Sequence, residues 1–461
     1  MSTRPSPAGG RVVVVGGGLA GIAAALDCAA GGAGVTLLEV RRRLGGAAYS
    51  FERDGLRMDN GQHVFLRCCL AYRALLARLG SERLTSVQPR LEIPVLSPRR
   101  APALLRRGSL PAPAHLAGAL ARYPLLTKRE RLGAARAALG LLRVDADDDT
   151  LDGLAFGDWL ARHGQGPRAV AALWDLVALP TLNLPAAHAS LALAAFVFRT
   201  GLLSSADAGD IGFHQAPLGD TIGEPAQRSL REAGVEVRLG WRAQGLAQTG
   251  SGLEVHGRGE ALSADAVVLA LAHTRAATLL EPLLGQGATR LRELGVSPIV
   301  NLHVVYDRHV CEWPFAAGVD TPVQYVFDRT CAAGAPPGCQ YLAVSLSAAE
   351  REMGLSVDRL RERYLPALRE LFPRAREAKV ECFLVTREHA ATFRAAPGVA
   401  ALRPGPQTAV PGLVLAGAWT ATGWPATLEG AVLSGHTAAQ VALRALAGGG
   451  VSASAAGALA L

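Results

Sequence analysis

The sequence predicts an α/β protein built on a Rossmann-like dinucleotide-binding sheet, with an α+β unit inserted into it. Three observations predict this. Arg11 to Val15 is a short apolar run that meets Gly16-Gly17-Gly18-Leu19-Ala20-Gly21 and then an Ala-rich helical stretch to about Ala30. A second strand, Val35 to Leu38, ends in Glu39, eighteen residues after Gly21. Far along the chain, the buried-strand pattern Gly412 to Leu415 leads through a turn into another helix. In the first block Gly16 permits the tight turn, Gly18 lets a pyrophosphate approach the backbone, and Gly21 lets helix pack on sheet. The helix start at Leu19 and Ala20 points its amides at the phosphates, and Glu39 stands where a carboxylate accepts from the adenosine ribose. A third piece is strand-like at Val235 to Val237 and leads through Ala243 to Asp265 to Leu271.

Composition narrows the class. The chain has 461 residues, half of them hydrophobic, 19% charged, with a net charge of +8. A chain this apolar buries a large core and is not disordered. The seven cysteines, at 28, 68, 69, 311, 331, 339 and 382, show no C-x-x-C pair. Neither a disulfide framework nor a metal site is therefore expected, and a reduced, cytoplasmic setting is. The uncharged run Val12 to Leu26 resembles a secretory core only until its four glycines are counted. The uncharged stretch Leu176 to Phe198 carries Pro180, Asn183, Pro185 and His188, and reads as loop plus core helix.

Between Arg90 and Arg143 stand eleven basic residues and two acidic ones, mixed with leucines. Such a segment suits an anionic membrane surface, which places the protein peripherally on a membrane. An ordinary solvated helix face is the alternative. No nucleic-acid reader motif accompanies the charge, so no nucleic-acid partner is expected.

The segment beginning at Glu39 favours non-covalent FAD over NAD. Glu39-Val40-Arg41-Arg42-Arg43-Leu44-Gly45-Gly46 resembles the acid, basic linker and double glycine of two-dinucleotide-binding-domain flavoproteins. Arg41, Arg43 and the bare amides at Gly45, Gly46 and Ala47 would cradle a pyrophosphate. The later block, Gly417-Ala418-Trp419-Thr420 with Thr427-Leu428-Glu429-Gly430, resembles the C-terminal flavin motif of the amine oxidase and carotenoid desaturase superfamily. There the resemblance implies a helix N-terminus aimed at the flavin ring, which stabilises a reduced anion. It implies too that the piece from Val235 onward folds back against the adenine, with its apolar contact near Ala243. Two positions depart from that pattern: Ala47 replaces an arginine, and Ala418 an acidic residue.

Met58-Asp59-Asn60-Gly61-Gln62-His63-Val64-Phe65, Leu179 to Asn183 and the run at 418–427 together resemble the hydroxysqualene dehydroxylases. The resemblance spans about residues 11 to 445. It implies reduction of hydroxysqualene, a C30 isoprenoid, to squalene with loss of water and use of reduced FAD. It implies flavin contacts at Gly61, Gln62 and His63. His63 is the first candidate proton donor, since imidazole titrates near neutral pH. Asp59 orients that loop, and Asp175 and His188 are weaker alternatives. No residue pattern names the electron donor to FAD. A phytoene or carotenoid desaturase is the nearest rival reading. A non-catalytic prenyl-binding scaffold like the GDP-dissociation inhibitors is the rival of another class. Amine oxidation is disfavoured because Lys128 and Lys379 are the only lysines. The expected FAD domain comprises 11–88, 216–290 and 408–445. The expected substrate unit comprises 89–215, helical, and 291–407, strand-rich, with Trp313, Phe315, Tyr325 and Phe327 as candidates to line its pocket. Residues 1–10 and 446–461 are expected to be flexible tails.

Overall fold

The computed structural model describes residues 9–98, 100–145, 148–250 and 252–448; most of both expected tails, and Arg99, lie outside them. The chain begins with β1 (Arg11–Val15), α1 (Leu19–Ala30) and β2 (Gly34–Glu39), then the hairpin β3 (Ser50–Arg53) and β4 (Leu56–Asp59), and α2 (Leu70–Arg78). Next come β5 (Glu92–Leu96), β6 (Ala103–Arg106), α3 (Lys128–Leu141) and β7 (Ile211–His214). The strands β8 (Glu236–Leu239), β9 (Ala266–Leu269), β10 (Ser297–Tyr306), β11 (Phe315–Gly318) and β12 (Tyr325–Asp328) come after them. Nearest the C-terminus are β13 (Gln340–Ser347), β14 (Val380–Thr392), β15 (Leu413–Leu415) and α4 (Leu428–Leu446).

Five strands form a parallel sheet in the order β8-β2-β1-β9-β15. Parallel pairing buries both faces, which is why β1 reads as unbroken valine. Alternate side chains divide the work. Val12 and Val14 pack with Ile22 and Leu26 of α1 and with Val432 and Ala438 of α4. Val13 and Val15 face the opposite cluster with Leu246, Val255 and Leu280.

Helices α1 and α4 lie against each other on the first face. A Cβ at Gly435 would stand 2.3 Å from the Ala20 carbonyl oxygen and 2.8 Å from the Ala23 side chain. Asp27 of α1 reinforces the contact: it pairs with His436 of α4 (2.5 Å) and Arg78 of α2 (2.5 Å).

The second large sheet has seven strands, ordered β14-β10-β13-β12-β11-β5-β6. All its pairs are antiparallel except β11 with β5. Its strands β5 and β6 come from a stretch read from sequence as helical. β5 pairs with β11, more than two hundred residues away, and β6 is the hairpin partner of β5 at the sheet edge; the long-range partner of β5 leaves no local period. The same stretch does hold several helices, among them α3, which carries a Thr127/Glu130 capping box at its start. Among the described residues no helix is long and apolar enough to cross a membrane.

Candidate functional site

The nucleotide end is built at the top of β1 and β2. Gly21 must be glycine, because a Cβ there would fall 1.8 Å from the Gly16 carbonyl oxygen. The Glu39 carboxylate is buried and accepts from the amides of Gly17 and Arg41, both at 2.7 Å. Each oxygen keeps a further lone pair for a ribose hydroxyl. The amides of Gly240 and Trp241 donate to the carbonyls of Arg41 and Glu39 (3.0 and 2.9 Å), so the third sequence piece joins this corner, with Ala243 buried just beyond. The double glycine closes onto the first glycine loop: Gly45 donates to Gly17 (2.9 Å), and a Cβ at Gly46 would lie 2.7 Å from the Gly18 Cα. Arg43 stacks 3.5 Å over the Tyr49 ring and donates to the Gly46 carbonyl at 3.3 Å. Arg41 is exposed at the same edge. No side chain caps α1 and no acidic residue sits in its first turn, so the amides at Leu19 and Ala20 face outward bare. A bare helix start, two touching glycine loops and nearby guanidinium groups fit a pyrophosphate.

The ring end is built by the chain around β15. Gly417 donates to Ser434 Oγ (2.8 Å), and the Trp419 indole donates to the Leu271 carbonyl (2.8 Å), which ties the turn to β9. Thr427 caps α4 by accepting from Gly430 (3.1 Å), with Leu428 as the first helical residue. The Glu429 carboxylate holds a different helix, accepting from Ala71 (2.9 Å) and Tyr72 (2.7 Å) at the start of α2. Its pKa is raised by burial.

Arg403 carries the turn from beneath. Its buried guanidinium donates to the carbonyls of Ala418 (3.1 Å), Trp419 (3.3 Å) and Thr420, and lies 4.9 Å over Phe393. Burial lowers its pKa to about 10. Sequence reading assigned it nothing, since a lone arginine before a strand carries no pattern.

Between the two ends runs the 59–63 turn. Asp59 Oδ1 accepts from Ser50 (2.7 Å) and Leu218 (2.9 Å), and Oδ2 from Arg329 (3.0 Å), so this carboxylate orients its surroundings. Asn60, quoted in the motif but given no role, joins the double-glycine loop to the seven-stranded sheet. Its Nδ2 donates to the Ala47 carbonyl (2.8 Å) and to Glu388 of β14 (2.9 Å). Its own carbonyl accepts from Asn301 of β10 and Thr386 of β14, both at 2.9 Å. Gly61 packs under Asn301, whose Nδ2 would lie 3.2 Å from a Cβ there. Next to this stitch Gln62 and His63 line a cavity of about 10 Å³ with Asp59, His214, Arg329 and Phe327. The His63 pKa is lowered by burial, against the pull of Asp59 and Glu388. Asp175 and His188 stand elsewhere: Asp175 accepts from Ala186 (2.7 Å), and His188 lines a separate surface pocket. Of the four aromatics named from sequence, Phe315, Tyr325 and Phe327 stack together, and Trp313 packs in another cluster.

The family model of flavin containing amine oxidoreductases matches residues 19–443. The chain belongs to that family. Within it, the chain is 30% identical to the hydroxysqualene dehydroxylase of Rhodopseudomonas palustris and 29% to that of Sinorhizobium fredii. Each match covers 94% of this chain and 98% of the relative, and the chain stands among these enzymes. It is 26% identical to the 15-cis-phytoene desaturase of Narcissus pseudonarcissus, over 95% of this chain and 80% of that one. Its fold matches that of cyclohexylamine oxidase from Brevibacterium oxydans, with a TM-score of 0.70 at 18% identity over 96% of this chain and all of the other. The protein is an FAD-dependent oxidoreductase.

Two buried histidines next to these elements give a pH signature. Burial lowers His214 to about 3 and His303 to about 4. Below the ordinary value of about 6.5 the unfolded chain takes up protons that the folded protein refuses, so stability is complete above that pH and falls as pH drops. The loss is up to ~1.4 kcal/mol per pH unit for each group. Urea unfolding between about pH 7 and about pH 5 should show this fall, and His303→Asn should reduce its slope by close to one proton. A flat profile would contradict the assignment.

Proposed function

We propose that the protein reduces hydroxysqualene to squalene, releasing water. The observation that carries this reading is His63. It is a proton-carrying group on the wall of a small cavity, one residue from a turn pinned to the flavin loop by Asn60. Reduced FAD, when bound, supplies hydride. The protein must deliver a proton to the departing hydroxyl and keep water from the allylic cation that ionisation leaves. His63 holds that proton at a ring nitrogen. Its lowered pKa makes its charged form a stronger acid than free imidazolium. Asp59 and Arg329 fix the turn, and Phe327 with stacked Phe315 and Tyr325 supplies apolar wall for the polyene.

The test is anaerobic mixing of reduced holoenzyme with hydroxysqualene while the oxidised flavin absorbance is followed. Return of that absorbance with formation of squalene is expected, and His63→Ala should slow it by on the order of 100-fold with FAD still bound. Full turnover in that variant would remove His63 from the mechanism. Oxidation of phytoene by the oxidised enzyme, with no reaction of hydroxysqualene, would replace this reading by the desaturase one.

The substrate's insolubility gives the basic segment a role. On α3 the exposed side chains Leu132, Arg136 and Leu139 share one face, with Arg129 beside them, and Leu104 and Leu110 are exposed on the same stretch. Not all its charge is available: Arg107 is held by buried Asp210 (2.7 Å) and Arg106 pairs with Glu92 (3.1 Å). The remaining cations and leucines suit an anionic bilayer, where each cation near the surface contributes about 1 kcal/mol. Co-sedimentation with vesicles containing phosphatidylserine should exceed that with neutral vesicles. It should fall in a variant with Leu132→Ser, Arg136→Ser and Leu139→Ser. Equal binding to both vesicle types would overturn this part.

A further inference from the structure

The small cavity beside His63 holds two N–H donors that the chemistry above does not use. His214 is 3% exposed, and its Nε2 lies 3.1 Å from the Tyr72 hydroxyl. That hydroxyl sits on a fully buried ring whose pKa burial raises well above the ordinary phenol value, so it keeps its proton. Among the described residues, the one hydrogen bond of that hydroxyl is with Nε2 of His214. A buried O–H donates where it can, which makes Nε2 the acceptor and places the imidazole proton on Nδ1. Among the described residues Nδ1 of His214 has no hydrogen-bond partner, and neither has the buried Nε2 of Gln62. Both residues line the one cavity of about 10 Å³. That is room for a single water-sized oxygen. Leaving a buried donor unmatched costs about 1–3 kcal/mol, so two at one spot select an oxygen acceptor. Asp59, on the same wall, is already bound by Ser50, Leu218 and Arg329 and competes for neither donor.

We propose that Gln62 and His214 form a one-oxygen site that receives the substrate's hydroxyl and then the water it becomes, with Tyr72 as the positioning residue that sets the His214 tautomer. This rests on the reading of the substrate as hydroxysqualene. The carbon–oxygen bond breaks with its electron pair on oxygen, and the proton from protonated His63 completes water. The carbon forms its new bond to hydrogen with hydride received from the two-electron-reduced flavin. The carbon is reduced, the flavin oxidised, and His63 regains its proton from solvent. Squalene has no oxygen for these donors, so the site favours the alcohol over the product.

The test uses oxidised holoenzyme, which cannot turn over, and compares binding of hydroxysqualene with squalene in detergent micelles through the change in flavin absorbance. The native protein should prefer the alcohol by about 10-fold or more, the value of a hydrogen bond left unpaired. His214→Phe and Gln62→Leu should each bring the preference toward unity, and Tyr72→Phe should lower it. Phe327→Leu should weaken both ligands alike. Gln62, less buried, carries the test if His214→Phe does not fold. Variants that bind FAD and keep the native preference overturn the site, as does a native protein without preference. The function itself is judged separately by turnover of the reduced enzyme: hydroxysqualene consumed while the variants keep their preference sinks the oxygen site alone.

Discussion

The close approach of α1 and α4 is the constraint on which the rest depends. One helix begins at the glycine loop proposed to hold the nucleotide, and the other begins at the turn after β15 proposed to meet the flavin ring. Gly435 lets them meet with the Ala20 carbonyl where a side chain would otherwise stand. Because both helix starts sit at the same end of one parallel sheet, their amides and positive dipole ends converge on one crevice. Segments separated by about four hundred residues are thereby brought to one end of the same sheet, where we propose that they hold FAD together.

Around that contact, buried polar groups do the positioning. Arg403 gathers three carbonyls of the ring-side turn, Glu429 holds the start of α2, and Asn60 links the double-glycine loop to β10 and β14. Each makes two or more hydrogen bonds, which lets a buried polar group hold a structure rather than weaken it. Gln62 Nε2 and His214 Nδ1 are among the buried side-chain atoms left without a partner, and both belong to residues that line the small cavity. The second sheet thus provides more than a wall: through Asn301, Thr386 and Glu388 it reaches the flavin loop itself.

Local chemistry was readable in the sequence. The glycine loop, Glu39, the valine strand and the capped C-terminal helix each depend on neighbours within a few turns of chain. Elements defined by distant partners were not. β5 looked like part of a basic helical stretch because its sheet partner β11 is supplied far downstream, and β6 joins the sheet only through β5. Arg329 meets Asp59 across 270 residues, and His214 meets Tyr72 across 142. Neither pairing leaves a spacing to recognise. Glu429 shows the opposite case: the motif was found, but the structure binds its carboxylate to α2 amides.

The most direct measurement of the central claim is FAD affinity after Gly435→Ala, with Gln440→Leu on the exposed face of the same helix as control. Overpacking of this kind costs about 1–3 kcal/mol. If helix contact brings the two halves of the site together, the alanine variant should keep its secondary structure and bind FAD on the order of 10-fold more weakly or worse, while the control binds normally. Native affinity in Gly435→Ala would show that the two halves of the site do not need this contact.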